Sequence, residues 1–317
     1  MSSQLCEPDK GKSPILVTGA HRSGTTWVGK MLAASRQVAY VSEPLNVWHR
    51  PGVMFAPIQR WYTYICPENE ASYLDALQDT LRLRYHLWAE VKSLTSMKDL
   101  LRMGRDAAIF WSGWVLHKRV LLKDPFAVFS VPWFKERLGC AVVVVVRHPA
   151  AFVSSLVRLG WSFDFADLLE QPLLMRDWLE AFRSEMVRVK DLPQDIIEQA
   201  SLLWKVIYHT VWVMKAHMQD ILLIRHEDLS AEPVEGFGRL YHALGLEFHE
   251  RARRTVMQSS SAENPSEASL RKVHSVRLDS RASVHNWKRR LSREDIERVR
   301  RLTEEVACHY YSQEDWE

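Results

Sequence analysis

One arginine and three hydroxyls crowd into His21-Arg22-Ser23-Gly24-Thr25-Thr26, within the stretch PILVTGAHRSGTTWVGKML at 14–32. A planar, always-charged guanidinium flanked by hydroxyls is a donor set for a tetrahedral oxyanion contacted at two oxygens. The elements that must carry these residues read the same way. The apolar run from Ile15 to Val17 predicts a buried strand, Gly19 and Gly24 predict a loop, and a helix is expected to start near Thr25. Strand, loop and helix in that order aim backbone N–H groups and the positive helix end at one point, where phosphate or sulfate belongs. A surface arginine on an ordinary turn explains the pattern less well, because few turns need two glycines, an arginine and three hydroxyls together.

The spacing Gly19-x-x-x-x-Gly24 matches the phosphate loop of nucleotide-hydrolysing enzymes, but that motif continues with Lys and then Ser or Thr. Here Thr25 and Thr26 follow. Without the lysine and a recognisable acidic metal partner, ATP chemistry loses its two main electrostatic supports. A kinase or NTPase stays as the alternative, and it would need a lysine at 25. A second candidate site is AVVVVVRHPAAFVSSLV at 141–157. Five consecutive valines predict a central strand covered on both faces, Pro149 suits the first turn of a helix, and Arg147 stands at the strand's carboxyl end. That edge is where open α/β sheets bind ligands. VLLKDP at 120–125 and ILLIRHEDL at 221–229 bring Lys123 with Asp124, and Arg225 with His226, to the same edge. Four strand-end cations suit a ligand with several anionic groups. Lys-Asp-Pro is equally a structural turn in which Asp124 caps the next helix.

Chemistry on an acceptor hydroxyl also needs a base. Glu43, in VAYVSEPLNVWHR, is the best candidate. Pro44 is expected to hold its backbone extended, and a carboxylate beside aromatics and away from water gains affinity for a proton. His21, His49, His117 and His148 are rival bases.

On these residues the chain resembles the sulfotransferases that use 3′-phosphoadenosine 5′-phosphosulfate (PAPS). Arg22, Ser23, Gly24, Thr25 and Thr26 fit the R-S-G-T-T core of their 5′-phosphosulfate loop, in the arginine version seen in tyrosylprotein, carbohydrate and many bacterial members. The resemblance implies that His21, Arg22, Ser23, Gly24, Thr25, Thr26 and Trp27 form the loop around the donor. It implies that Arg147 and Ser155 hold the 3′-phosphate, with His226 replacing an adenine-side tyrosine. Glu43 would be the base and Lys123 would join catalysis. Looser likeness at 271–293 implies a basic segment closing over PAPS, in which Arg281 and Ser283 approach the 3′-phosphate and Trp287 with Lys288 anchors it. That segment holds eight Arg or Lys against Asp279 alone. The implied reaction is in-line sulfuryl transfer to a hydroxyl of a small-molecule or carbohydrate acceptor, leaving PAP and needing no metal. N-sulfation of an amine or carbamoyl group is an alternative.

Length and composition set the frame. A chain of 317 residues, 47% of them hydrophobic, supports a sizeable core. The expected architecture is a three-layer α/β fold with a central, mainly parallel sheet. Residues 1–13 read as a flexible tail, 14–317 as one domain, and 259–291 as a mobile basic flap. Helices are expected over 71–92, 94–118, 164–190, 196–219 and about 292–312, with Pro172 and Pro193 as breaks and the last helix packed on the sheet. A net charge of only +3 argues against a nucleic-acid partner. No run of 18 apolar residues spans a membrane, and the polar amino end lacks a signal peptide's core. The isolated Cys6, Cys66, Cys140 and Cys308 suit free thiols in a reducing cytoplasm. Of thirteen tryptophans, Trp48, Trp61, Trp88, Trp111, Trp114 and Trp161 fall in segments expected near the site.

Overall fold

A computed structural model of the chain describes residues 13–191, 194–267 and 276–317. The amino-terminal tail to residue 12, with Cys6, lies outside the described residues, as do Pro193 and the flap's 268–275.

Five strands form one wholly parallel sheet in the order β2-β3-β1-β4-β5, built from β1 (Ile15–Gly19), β2 (Val38–Ser42), β3 (Arg119–Lys123), β4 (Ala141–Val146) and β5 (Leu222–Arg225). The valine strand lies where its composition demands, between β1 and β5. Alternation divides its side chains between two cores. Ile15, Val17, Val143 and Val145 pack on one face with Val28, Phe237 and Tyr241, whereas Leu16, Val142, Val144 and Val146 pack on the other with Phe152, Trp204 and Tyr208. A strand buried on both sides needs apolar residues at every position, and that is what a run of valines supplies.

The helices around the sheet include α1 (Thr25–Ala33), α2 (Leu87–Lys92), α3 (Met97–Val115), α4 (Pro149–Leu159), α5 (Ile196–His217), α6 (His226–Ala231), α7 (Pro233–Ala243), α8 (Glu250–Ser260) and α9 (Arg293–Ala307), with further short helices such as Leu74–Leu81, Val131–Leu138 and Arg183–Lys190 between them. The result is three layers, as the sequence predicts. Two expectations fail. The span 71–92 breaks between Leu74–Leu81 and α2, where Leu83 takes the left-handed conformation at φ 56° and Arg84 N bonds Asp79 O. The last helix packs on α4 and α5, the layer over the sheet, rather than on the sheet itself.

Register decides what meets at the carboxyl edge. Gly19 pairs with Val145, Ser42 with Lys123, and Val146 with Arg225, so the loops after all five strands leave on one side. From β1 the chain crosses to β2 at one edge and returns to β3 beside β1, then passes to β4 on the other side of β1 and outward to β5. The crevice at this reversal, between the ends of β1 and β4, is the position where such sheets bind ligands.

Candidate active site

The loop after β1 closes tightly over the crevice. Gly19 adopts φ 139°, and a Cβ there would stand 2.3 Å from Val145 O. Arg22 adopts φ 65° and Gly24 φ 100°. Helix α1 then begins with Gly24 as its cap, with no side-chain cap bond and no acid in its first turn. Its leading amides are thus left to an outside acceptor, and the helix dipole favours an anion. A Cβ on Gly24 would meet His226 Cδ2 at 2.3 Å. Gly24→Ala is therefore expected to lower stability by about 1–3 kcal/mol, from φ strain and the clash together. Thermal melting checks this, and adding His226→Ala should recover only the steric share.

Arg22 turns its side chain across the crevice, its Nε donating to Ser155 Oγ at 3.1 Å and its guanidinium carbon 5.8 Å from the Trp161 ring centroid. Arg147, at the end of β4, donates from Nη1 to the Arg22 carbonyl at 2.8 Å, while its own carbonyl accepts from Trp204 Nε1 at 2.8 Å. Its buried Nε has no hydrogen-bond partner among the described residues. The two cradles read from separate segments therefore adjoin. Tyr208 ties them from below, its hydroxyl donating to Val145 O at 2.9 Å and accepting from Ala20 N at 3.2 Å.

Glu43 follows β2 in the left-handed region at φ 53°, contrary to the extended conformation expected before Pro44. A tight turn overrides the proline's preference: Glu43 N donates to Lys123 O at 2.7 Å and Asn46 N donates to Glu43 O at 3.2 Å. The carboxylate is gripped from two sides, by Asn46 Nδ2 at 2.7 Å and by Lys123 Nζ. Lys123 is 2% exposed and stands behind Glu43, off the cavity wall. Asp124 does cap the following turn, accepting from Phe126 N at 2.9 Å, and also from Leu45 N at 2.5 Å. Burial pushes its pKa up to about 7, against the pull of those amides.

A cavity of about 620 Å³ joins these groups. His21, Arg22, Gly24, Thr25, Thr26, Trp27, Glu43, Arg147, Ser155, His226 and Ser283 line it. Ser23 is buried beneath the loop and does not. Arg158 and Arg290 also face the cavity, and Glu267 bridges them at 3.5 and 2.9 Å. Burial, and then repulsion from Arg147, Arg158 and Arg290, lowers the Arg22 pKa to about 10. Arg22 stays charged at neutral pH, and four guanidiniums around one cavity call for a polyanion.

Of the rival histidines, His21 lines the cavity and His49, His117 and His148 do not. His21 contacts the Tyr62 hydroxyl through Nδ1 at 2.7 Å, and burial with Arg22 beside it lowers its pKa to about 4. His148 is buried, stacked on Trp287 at 4.9 Å, with a pKa lowered by burial to about 3. His49 Nδ1 bonds the Asn46 carbonyl, and His117 lies beyond the end of α3, off the cavity.

Several sequence-stated residues stand elsewhere. Arg225 pairs with Asp315 and, at 3.5 Å, with Asp228, and lies over the Tyr311 ring, so this strand-end cation supports the carboxy-terminal turn rather than a ligand. In the basic segment Arg281 donates to Ala231 O at 3.0 Å, and Lys288 Nζ sits 5.3 Å from the Trp287 ring centroid. Trp287 is buried and anchors its turn on His148 rather than on the cavity wall. Of the six tryptophans expected here, Trp48, Trp61 and Trp161 line the cavity, and Trp88, Trp111 and Trp114 do not. Sequence reasoning missed Asn46, Tyr62, Arg158 and Arg290. Only Asn46 carried a signal, a turn-former three residues after Glu43.

Among curated proteins none matches the chain. Among solved structures, the sulfotransferase domain from the curacin biosynthetic pathway is 15% identical, with 92% of this chain and 96% of that one covered at a TM-score of 0.45. Mouse sulfotransferase SULT7A1 complexed with PAP is 13% identical, with 96% and 86% covered and a TM-score of 0.44. Sulfotransferase STF9 from Mycobacterium avium is 13% identical, with 94% and 77% covered and a TM-score of 0.45. The sulfotransferase domain family matches residues 12–310, nearly the whole chain, so this protein belongs to that family and is a sulfotransferase.

Proposed function

We propose that this sulfotransferase takes its sulfuryl group from PAPS and delivers it to a hydroxyl of a small-molecule or carbohydrate acceptor. The observation that carries the reading is the gathering of Arg22, Arg147, Arg158 and Arg290 on one cavity beside an uncapped helix start. The fit to a donor with a 3′-phosphate and a 5′-phosphosulfate is supported by the unpartnered Arg147 Nε and by the glycine-lined loop. Arg147 and Ser155 would hold the 3′-phosphate. The α1 amides, Thr25, Thr26 and Arg22 would hold the 5′ end, with Trp27 and His226, 5.5 Å apart, on the base side.

In this reading Glu43 accepts the proton of the acceptor hydroxyl as its oxygen bonds sulfur. Arg22 and the loop amides take up charge on the oxygens of the transferred group while the bond from sulfur to the phosphate opens. Lys123 keeps Glu43 aimed and is a positioning residue, which revises the direct catalytic role expected for it. Trp48, Trp61 and Trp161 give the acceptor side aromatic walls that suit a sugar face or a flat ring. The free Cys66, Cys140 and Cys308 fit a reducing compartment such as the cytoplasm.

Calorimetry with PAP and with ADP tests the donor. PAP is expected to bind more tightly, and ADP binding as tightly with magnesium-dependent ATP turnover would favour a kinase instead. Arg147→Ala should weaken PAP binding by about 10–100-fold, the worth of one or two charge-assisted hydrogen bonds, while kcat at saturating donor changes less.

A further inference from the structure

We propose that the outward face of α3, together with α2, docks on an anionic membrane surface. Helix α3 buries Asp106, Phe110 and Gly113 against the protein. The opposite side of a surface helix is ordinarily polar. Here it carries Met97, Leu101, Trp111 and Val115, at offsets of four, ten and four that keep one helix face, exposed to 72%, 74%, 69% and 45%. Trp114 on α3 and Trp88 on the neighbouring α2 are also exposed, at 60% and 78%.

Charge indicates what covers it. Residues 82–118 hold seven Lys or Arg against Glu90, Asp99 and Asp106. Glu90 and Asp106 are buried, Glu90 paired with Arg50 and Asp106 with Arg50 at 3.6 Å and Arg105 at 2.8 Å, while Asp99 pairs with Arg102 at 3.7 Å, so cations outnumber acids on the exposed rim. Lys98, Arg102 and Arg105 lie along one flank of the apolar stripe, and Lys92 ends α2. Solvent-facing tryptophans beside a stripe of Leu, Met and Val, rimmed by Lys and Arg, are the composition of a helix lying in a bilayer interface. A second copy of the chain packed antiparallel fits less well, because that two-fold contact would set the cationic flank against itself. The chain's own residues 268–275 carry the same sign, with Arg271 and Lys272 and no acid.

No helix among the described residues is long and apolar enough to cross a membrane, so the contact is peripheral. The full chain is to be co-sedimented with phosphatidylcholine vesicles, with and without phosphatidylserine. Binding is expected only with phosphatidylserine, with a blue shift of tryptophan emission and release by salt. Lys92→Gln, Lys98→Gln and Arg102→Gln together should weaken it about a hundredfold. Trp88→Ser, Trp111→Ser and Trp114→Ser together should abolish it at unchanged melting temperature. Should the tryptophan variant fail to fold, the charge variant, which alters exposed residues only, decides alone. Absence of phosphatidylserine-dependent sedimentation, or binding unchanged in these variants, overturns the proposal. So does a dimer in sedimentation equilibrium that the tryptophan variant dissociates, without vesicle binding, which would assign the face to a second copy.

Discussion

Glu43→Gln is expected to cut turnover by about 10²–10⁴-fold while PAP affinity stays within about threefold, because a positioned base supplies a factor of that order to proton removal. Glutamine keeps the size and the oxygen that accepts from Lys123 Nζ, loses the bond from Asn46 Nδ2 to the second oxygen, and leaves in place the backbone bonds that hold the turn after β2. It also leaves a lysine that is 2% exposed without its counter-charge. The resulting loss of stability should fall below the roughly 3–5 kcal/mol of a fully broken buried pair, since one hydrogen bond persists. That separates two explanations of a dead enzyme. If Glu43 is the base, the double variant Glu43→Gln with Lys123→Met regains stability and stays inactive. If Glu43 serves only to hold Lys123, Lys123→Met alone abolishes turnover as completely and Glu43→Gln does not. Unchanged rates in Glu43→Gln would remove it as base outright.

The parts of this site that could be read from sequence are those whose partners are local. The loop from Gly19 to Thr26 and the Arg147 to Ser155 segment each lie within a dozen residues, and strand, turn and helix are fixed by valines, glycines and a proline in the same stretch. Arg225 was misread because its partner, Asp315, lies 90 residues away at the chain's end, where nothing local marks it. Tyr62 was missed for the same reason: its hydroxyl reaches His21 across 41 residues from an irregular segment. Glu43 lines the cavity, as a candidate base must, but its backbone was expected in the wrong conformation, and its contact with Lys123 was not foreseen. Two hydrogen bonds outweigh a steric bias of the residue before proline, and a propensity cannot foresee them. The exposed tryptophans Trp88, Trp111 and Trp114 show the reverse limit. They fall in segments expected near the site, and only the fold reveals that they look outward.

Arg22→Ala is expected to lower kcat by about 10²–10³-fold, the effect of deleting one preorganised donor to charge that grows in a transition state. Its effect on PAP affinity should be smaller than that of Arg147→Ala, because PAP lacks the transferred group to which Arg22 is assigned. The two arginines therefore predict crossed patterns, Arg22 in kcat and Arg147 in donor affinity. They are not independent. Arg147 Nη1 holds the Arg22 carbonyl at 2.8 Å, and Arg22 sits at φ 65°, so removing Arg147 also loosens the loop that presents Arg22. The double variant should lose less than the sum of the two single losses. Arg22→Lys sharpens the assignment: a lysine restores charge without the planar fork that spans Ser155 and the cavity, and should recover about tenfold of the lost rate. A fully active Arg22→Lys would reduce the requirement to charge alone, and an Arg22→Ala that turns over normally while losing PAP would exchange the roles of the two cradles.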